Sequence, residues 1–245
     1  MAEKIMTGKR LAETALDAAN NYKTLYVAGC FGAPMTEANK KRYTQNHEYN
    51  MAADRAKLIN AAAADTFGFD CVCLIKGLLW GWCGDASKEY GGAVYASNGV
   101  PDVGEDAMIA MCGRVSTDFS GIEAGEAVWL PGHIGVYAGG GLAVECTPVW
   151  KNGVQVTAVG NLGAKAGYDT RTWAKHGRLP WVDYNTEEDD DMPIYKDFKD
   201  VPGCYQAAVK KAVDKGALKG DGNGLNLSED LCRTLTVLDR LGKLD

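Results

Sequence analysis

The chain has 245 residues, 46% of them hydrophobic and 24% charged, with a net charge of −6, the composition of an ordinary globular protein with room for one core and a small appendage. Over residues 185–200 seven acids face only Lys196 and Lys199, a local charge of −5, so the remainder is nearly neutral and offers no basic stripe for nucleic acid. No run approaches the roughly 18 apolar residues of a membrane span, and the N-terminus shows no continuous apolar stretch of the kind a signal peptide carries.

Leu11, Ala15, Ala18 and Ala19 recur at helical spacing and predict an opening helix over 11–22. The glycine-broken run TLYVAGCFGAP stops at Pro34, and a polar insertion separates it from a helix expected over 52–64. Residues 72–79 are apolar nearly all round apart from Lys76, which predicts a helix buried in the core, with Asp70 as its cap. Residues 84–119 read mostly as loop. AVWL, HIGVYA, LAVEC and VQVTAV, separated by PG, GGG and KNG, then predict an antiparallel meander. The acidic stretch NTEEDDDMP marks a boundary. The expected organisation is a main unit over 1–184, a linker over 185–196, and a small helical unit over 197–245 with helices at 205–215 and 229–241. Helices followed by a sheet make the fold class α+β. The eight cysteines are scattered and are expected as thiols.

Cys71 opens the buried helix. A thiol there faces unpaired helical N–H groups, which favour the thiolate and are expected to lower its pKa. The same groups suit a tetrahedral oxyanion. A buried structural cysteine is the commoner fate of such a residue, and Cys73, two positions deeper, reads as that. A hairpin closed by a three-residue loop at Ala138, Gly139 and Gly140 would set His133 opposite Glu145, with Ile134, Val136, Leu142 and Val144 on the other, apolar face. A directly opposed pair is close enough for a carboxylate–imidazole hydrogen bond, which would fix the ring tautomer. An incidental surface His–Glu pair stands equally open. Of the other histidines, His47 lies in the polar insertion and His176 in a polar stretch. Zinc on Cys71, Cys73 and Cys83 is disfavoured, because Cys-x-Cys at one helix start does not make a tetrahedral pair.

Over residues 10–182 the segments YVAGCFG, FDCVCLIKGLLW, IEAGEAVWLPGHIGVYAGGG and VECTP resemble the NlpC/P60 family of papain-like cysteine peptidases. The resemblance implies a papain-like fold with helices packed on an antiparallel sheet. It also implies Cys71 as nucleophile, His133 as base and Glu145 as the third polar residue, with no metal or other cofactor. Tyr26, Asp70 and Tyr137 are carried over as substrate-contacting positions, Tyr26 as a substrate or oxyanion residue. Two departures stand out: Val72-Cys73 replaces the usual Ser-Gly after the nucleophile, and Glu145 stands where His, Asn or Gln is more usual. The implied activity is hydrolysis of an amide bond in the peptidoglycan stem peptide, usually the γ-D-glutamyl–diamino acid bond. Alternatives are an N-acetylmuramoyl-L-alanine amidase of the Cys-His type and a non-catalytic wall-binding protein that keeps the fold. With no signal peptide, the expectation is synthesis in the bacterial cytoplasm and action at the wall, as for a phage endolysin or a host autolysin without its leader.

The C-terminal segment, with DVPG, KGALKG, GDGNG and an arginine in its second helix, resembles a single surface-layer-homology repeat. That resemblance implies binding of a secondary cell-wall polymer, with Tyr205 and Arg233 as its residues; the box around Arg233 reads Cys232-Arg233-Thr234-Leu235 and lacks its acid. The plain reading is a helical hairpin for packing or homo-oligomerisation. The GDGNG turn does not match the EF-hand spacing of acids, which disfavours calcium.

Overall fold

In the computed structural model residues 4–184, 193–220 and 224–244 are described. The chain divides into two units, Met1–Thr186 and Glu187–Asp245, so the boundary falls at the acidic stretch, most of which (185–192) lies outside the described residues. In the first unit β1 (Met6–Thr7) ends at Thr7, whose hydroxyl accepts a hydrogen bond from the Arg10 amide and caps α1 (Gly8–Asn21). β2 (Thr24–Tyr26), β3 (Phe31–Pro34) and β4 (Phe67–Phe69) form a small sheet in the order β2-β4-β3. The polar insertion between β3 and β4 folds into α2 (Glu37–Asn46), α3 (Glu48–Met51) and α4 (Ala53–Ala61). Thr36 caps α2 and the His47 side chain caps α3. Capping residues thus made helices in a segment whose apolar periodicity is weak.

α5 (Cys71–Leu79) is buried along its whole length, as its all-apolar pattern predicts. Lys76 is buried too, and it pairs with Asp102 from the following loop. That loop region, expected to be irregular, also contains α6 (Glu105–Met111) and β5 (Gly113–Ser116). The meander follows as β6 (Ala127–Leu130), β7 (His133–Gly139), β8 (Leu142–Thr147) and β9 (Gly153–Val159). β10 (Thr170–Arg171), β11 (Lys175–Arg178) and β12 (Val182–Asp183) complete the unit, β12 pairing in parallel with β1. The main sheet has the order β10-β9-β8-β7-β6-β11-β5.

Alternation along β7 and β8 separates two apolar layers. Ile134, Val136, Val144 and Cys146 join the principal core with α1 and α5, while Tyr137, Ala143, Val159 and Trp173 form a second cluster with Phe119 and Val128. The meander register differs from the expected one. Gly135 faces Glu145, Tyr137 faces Ala143 and Gly139 faces Leu142, with a bulge between Tyr137 and Gly139. The turn is therefore the two residues Gly140 and Gly141, at φ 59° and 80°, a conformation that suits the strand twist of a tight hairpin and that glycine adopts at no steric cost. A slip of two residues moves the partner but keeps the face, so His133 and Glu145 share a face as expected.

In the second unit β13 (Ile194–Tyr195) pairs with β14 (Leu227–Ser228), and α7 (Gly203–Asp214) packs on α8 (Glu229–Arg240). The unit thus begins before residue 197, inside the expected linker. Val201, Ala208, Val209, Ala212, Leu227, Cys232 and Leu235 make its core. The central residues of the GDGNG turn lie outside the described residues. Among the described residues no helix is long and apolar enough to cross a membrane. The architecture is α+β.

Candidate functional site

Asp70 caps α5 as expected: one carboxylate oxygen accepts from the Cys73 amide at 2.7 Å and the other from the Gly29 amide at 2.7 Å. Its carboxylate thus ties the start of the helix to the turn after β2. Cys71, the first residue of α5, is 7% exposed and packs with the principal core. Burial pushes its thiol up to about 12, and the nearby carboxylates of Asp70 and Glu105 push in the same direction; the Ile134 and Val72 amides oppose them. This overturns the expectation of a lowered pKa. The helix-end amides favour the thiolate, but desolvation and two negative charges outweigh them. Cys73 is buried and its thiol is likewise raised, first by burial and then by Asp70.

The structure brings Tyr26 to the same place. Burial and the neighbouring Cys71, Asp70 and Cys146 hold its hydroxyl above the ordinary tyrosine range, so it stays protonated. Tyr137 is different. It is 7% exposed, packs in the second cluster, and its hydroxyl accepts from the Gly141 amide at 3.0 Å. That hydrogen bond closes the hairpin turn.

His133 and Glu145 meet even though they are not directly opposed. The His133 Nε2 lies 2.7 Å from a Glu145 carboxylate oxygen, and since a carboxylate only accepts, Nε2 carries the proton. No described hydrogen bond occupies Nδ1, and none joins His133 to Cys71. The physical reason is alternation: Cys71 packs on the Ile134 side of β7, and its thiol faces the Ile134 amide. The His133 ring, one residue earlier, lies flat against Trp173 of the second cluster, at 5.5 Å and 10°. Gly135 makes room here, because a Cβ on it would come within 2.8 Å of the Val144 carbonyl and 3.2 Å of the Trp173 ring.

Glu145 is fully buried. Burial opposes its charge, yet hydrogen bonds from His133 and Arg171 prevail and hold its carboxyl below the ordinary range. Thr157 Oγ1 donates to it as well, at 2.7 Å. Sequence reasoning missed Arg171, Trp173 and Thr157. The polar Thr157 within VQVTAV was a readable signal, since it falls on the Glu145 face; Arg171 and Trp173 follow a long irregular connection and carried none. His176, set aside as polar, is buried on β11. Its Nδ1 contacts Glu126 and its Nε2 the Asp118 carbonyl, so both ring nitrogens serve the fold.

A cleft of about 760 Å³ opens beside the start of α5, lined among others by Asp70, Val72, Cys73, Arg42, Tyr90 and Glu105. Cys71 is not part of this lining, whereas Cys73 is. Among the described residues no group of three or more His, Cys, Asp or Glu side chains is arranged to hold a metal. In the second unit Tyr205 and Arg233 converge on one acid. The Tyr205 hydroxyl donates to Glu229 at 3.1 Å, as does that of Tyr195, and the Arg233 Nε lies 3.5 Å from the same carboxylate. Glu229 is buried and stands one turn before Arg233 on α8.

The carboxylate of Glu105 makes a direct test of the thiol's surroundings. Glu105→Gln removes one charge that disfavours the Cys71 thiolate, so alkylation of Cys71 by iodoacetamide near pH 9 should quicken by roughly two- to tenfold. Mass spectrometry of the Cys71 peptide reads the rate, and an unchanged rate would place Glu105 outside the thiol's field. Compared with family models, curated proteins and solved structures, the chain finds no match in any of the three.

Proposed function

We propose that the first unit is a cysteine-dependent peptidoglycan hydrolase of papain-like, NlpC/P60 type, with Cys71 as nucleophile, His133 as base and Glu145 as the residue that orients the base. The observation that carries this reading is the part-buried His133–Glu145 pair, with Nε2 committed and Nδ1 without a described hydrogen bond, on the residue next to the amide that faces the Cys71 thiol. At rest the thiol is protonated. As substrate arrives, Cys71 Sγ attacks the amide carbonyl and its proton passes to His133 Nδ1, a transfer that needs substrate binding to bring together two side chains that are not hydrogen-bonded at rest. Apo hydrogen bonds of this kind commonly tighten only on binding. The imidazolium, balanced by Glu145, protonates the leaving amine as the C–N bond breaks. Water, deprotonated by His133, then cleaves the thioester and frees Cys71. The α5 amides and the Tyr26 hydroxyl are the donors at hand for the oxyanion.

Digestion of purified peptidoglycan, followed by end-group and mass analysis, tests the reading. New free amino groups on diamino acid residues are expected, the products of γ-D-glutamyl–diamino acid cleavage. Release of intact stem peptides from muramyl lactate would identify an amidase instead. Walls left uncut by the full chain would sink the enzymatic reading and leave a wall-binding protein.

A further inference from the structure

We propose that Arg171 is the positioning residue of this site, fixing the Glu145 carboxylate so that His133 is held as the Nε2–H tautomer with its Nδ1 lone pair unprotonated. The inference rests on the reading of Cys71, His133 and Glu145 given above. Arg171 Nε lies 2.9 Å from one Glu145 oxygen and 2.7 Å from the other. Thr157 shares the first oxygen and His133 the second. A carboxylate gripped at both oxygens cannot turn without breaking several bonds at once, so the oxygen that faces His133 stays in place.

The guanidinium is itself held. It sits over the Trp150 ring at 4.8 Å and the Trp173 ring at 5.7 Å, and the Trp173 indole is also the plane on which His133 stacks. One indole therefore sets the orientation of both the base and its partner's counter-ion. Charge gives the second reason. A fully buried carboxylate demands a cation. Were the imidazole the only group available, it would supply that charge by binding a second proton, and no lone pair would remain for the thiol. A fixed guanidinium, charged at every working pH, supplies that cation at both Glu145 oxygens.

The test is ¹⁵N NMR of the histidine ring nitrogens in the full chain, where three histidines (His47, His133, His176) make assignment direct. In the wild type at pH 7 the His133 ring should show a protonated Nε2 and a bare Nδ1. Arg171→Met should give a doubly protonated ring or a mixture of tautomers, and Arg171→Lys, which keeps the charge but not the Nε–H shared by both oxygens or the flat group over Trp150 and Trp173, an intermediate signature. Wall hydrolysis should fall in kcat on the order of 10²-fold in Arg171→Met, the low end of what a positioned general base contributes, with KM little changed. Added to Glu145→Gln, Arg171→Met should cost nothing further, because a neutral amide needs no counter-ion; this double variant, free of unpaired charge, also covers a failure of Arg171→Met to fold. A wild-type ring signature in Arg171→Met or Arg171→Lys, or full additivity in the double variant, overturns the proposal. If the ring responds as expected while wild-type chain cuts no walls, the positioning role stands and the hydrolase reading fails.

Discussion

Cys71→Ala should abolish wall hydrolysis, a fall of at least roughly 10³-fold, while Cys73→Ala should clear walls about as fast as the unaltered chain. The contrast matters because the two thiols compete on structural grounds. Cys73 lines the cleft beside α5 and Cys71 does not. Against that, Cys73 lies deeper in the helix, and its own amide is taken by Asp70. Cys71 stands at the first helical position, its thiol faces the amide next to His133, and Tyr26 lies within its electrostatic reach. The thiol's raised pKa is compatible with a nucleophile that is unmasked only when the base and the substrate close on it. Turbidity loss of purified walls measures both variants. An active Cys71→Ala beside a dead Cys73→Ala would transfer the nucleophile to Cys73, and two active variants would end the cysteine mechanism.

The second large effect is on stability. Glu145→Ala should cost about 3–5 kcal/mol, because it leaves the donors of His133, Thr157 and the part-buried Arg171 with no acceptor and opens a cavity beside His133. Glu145→Gln keeps the shape and should retain the fold and part of the activity; full activity would make Glu145 merely a neighbour. Urea unfolding measures both. The same carboxyl sets a pH window. Its folded pKa lies below the unfolded value of 4.5, so its stabilisation is complete well above pH 4.5 and is lost as pH falls through the lower folded value. Glu145→Gln should therefore flatten the acid side of the stability profile. An acid limb unchanged by that substitution would show that Glu145 does not govern it.

Local patterns were enough to find the elements that carry the site. The apolar run after Asp70 specified a buried helix with its cap, and the alternation of 127–159 specified four strands and their faces. The triple glycine was ambiguous, since both a three-residue loop and a two-residue turn with a bulge satisfy the alternation. That ambiguity changed the partner of Glu145 from His133 to Gly135 and left the shared face intact, because the side-chain period of a strand is two.

Sequence alone therefore determined which residue types stand at the helix start and on one face of the hairpin: Cys71, His133 and Glu145. Only the tertiary structure decided their state. The rise in the Cys71 thiol comes from burial together with Asp70 and from Glu105 on α6, a helix brought in from a segment that reads as loop. The charge of Glu145 is sustained by Arg171, which arrives from a two-residue edge strand, and the ring of His133 is set by Trp173. Protonation depends on the sum of charges and solvent exclusion around a group, and those are contributed by chain distant in sequence, where no local periodicity records them.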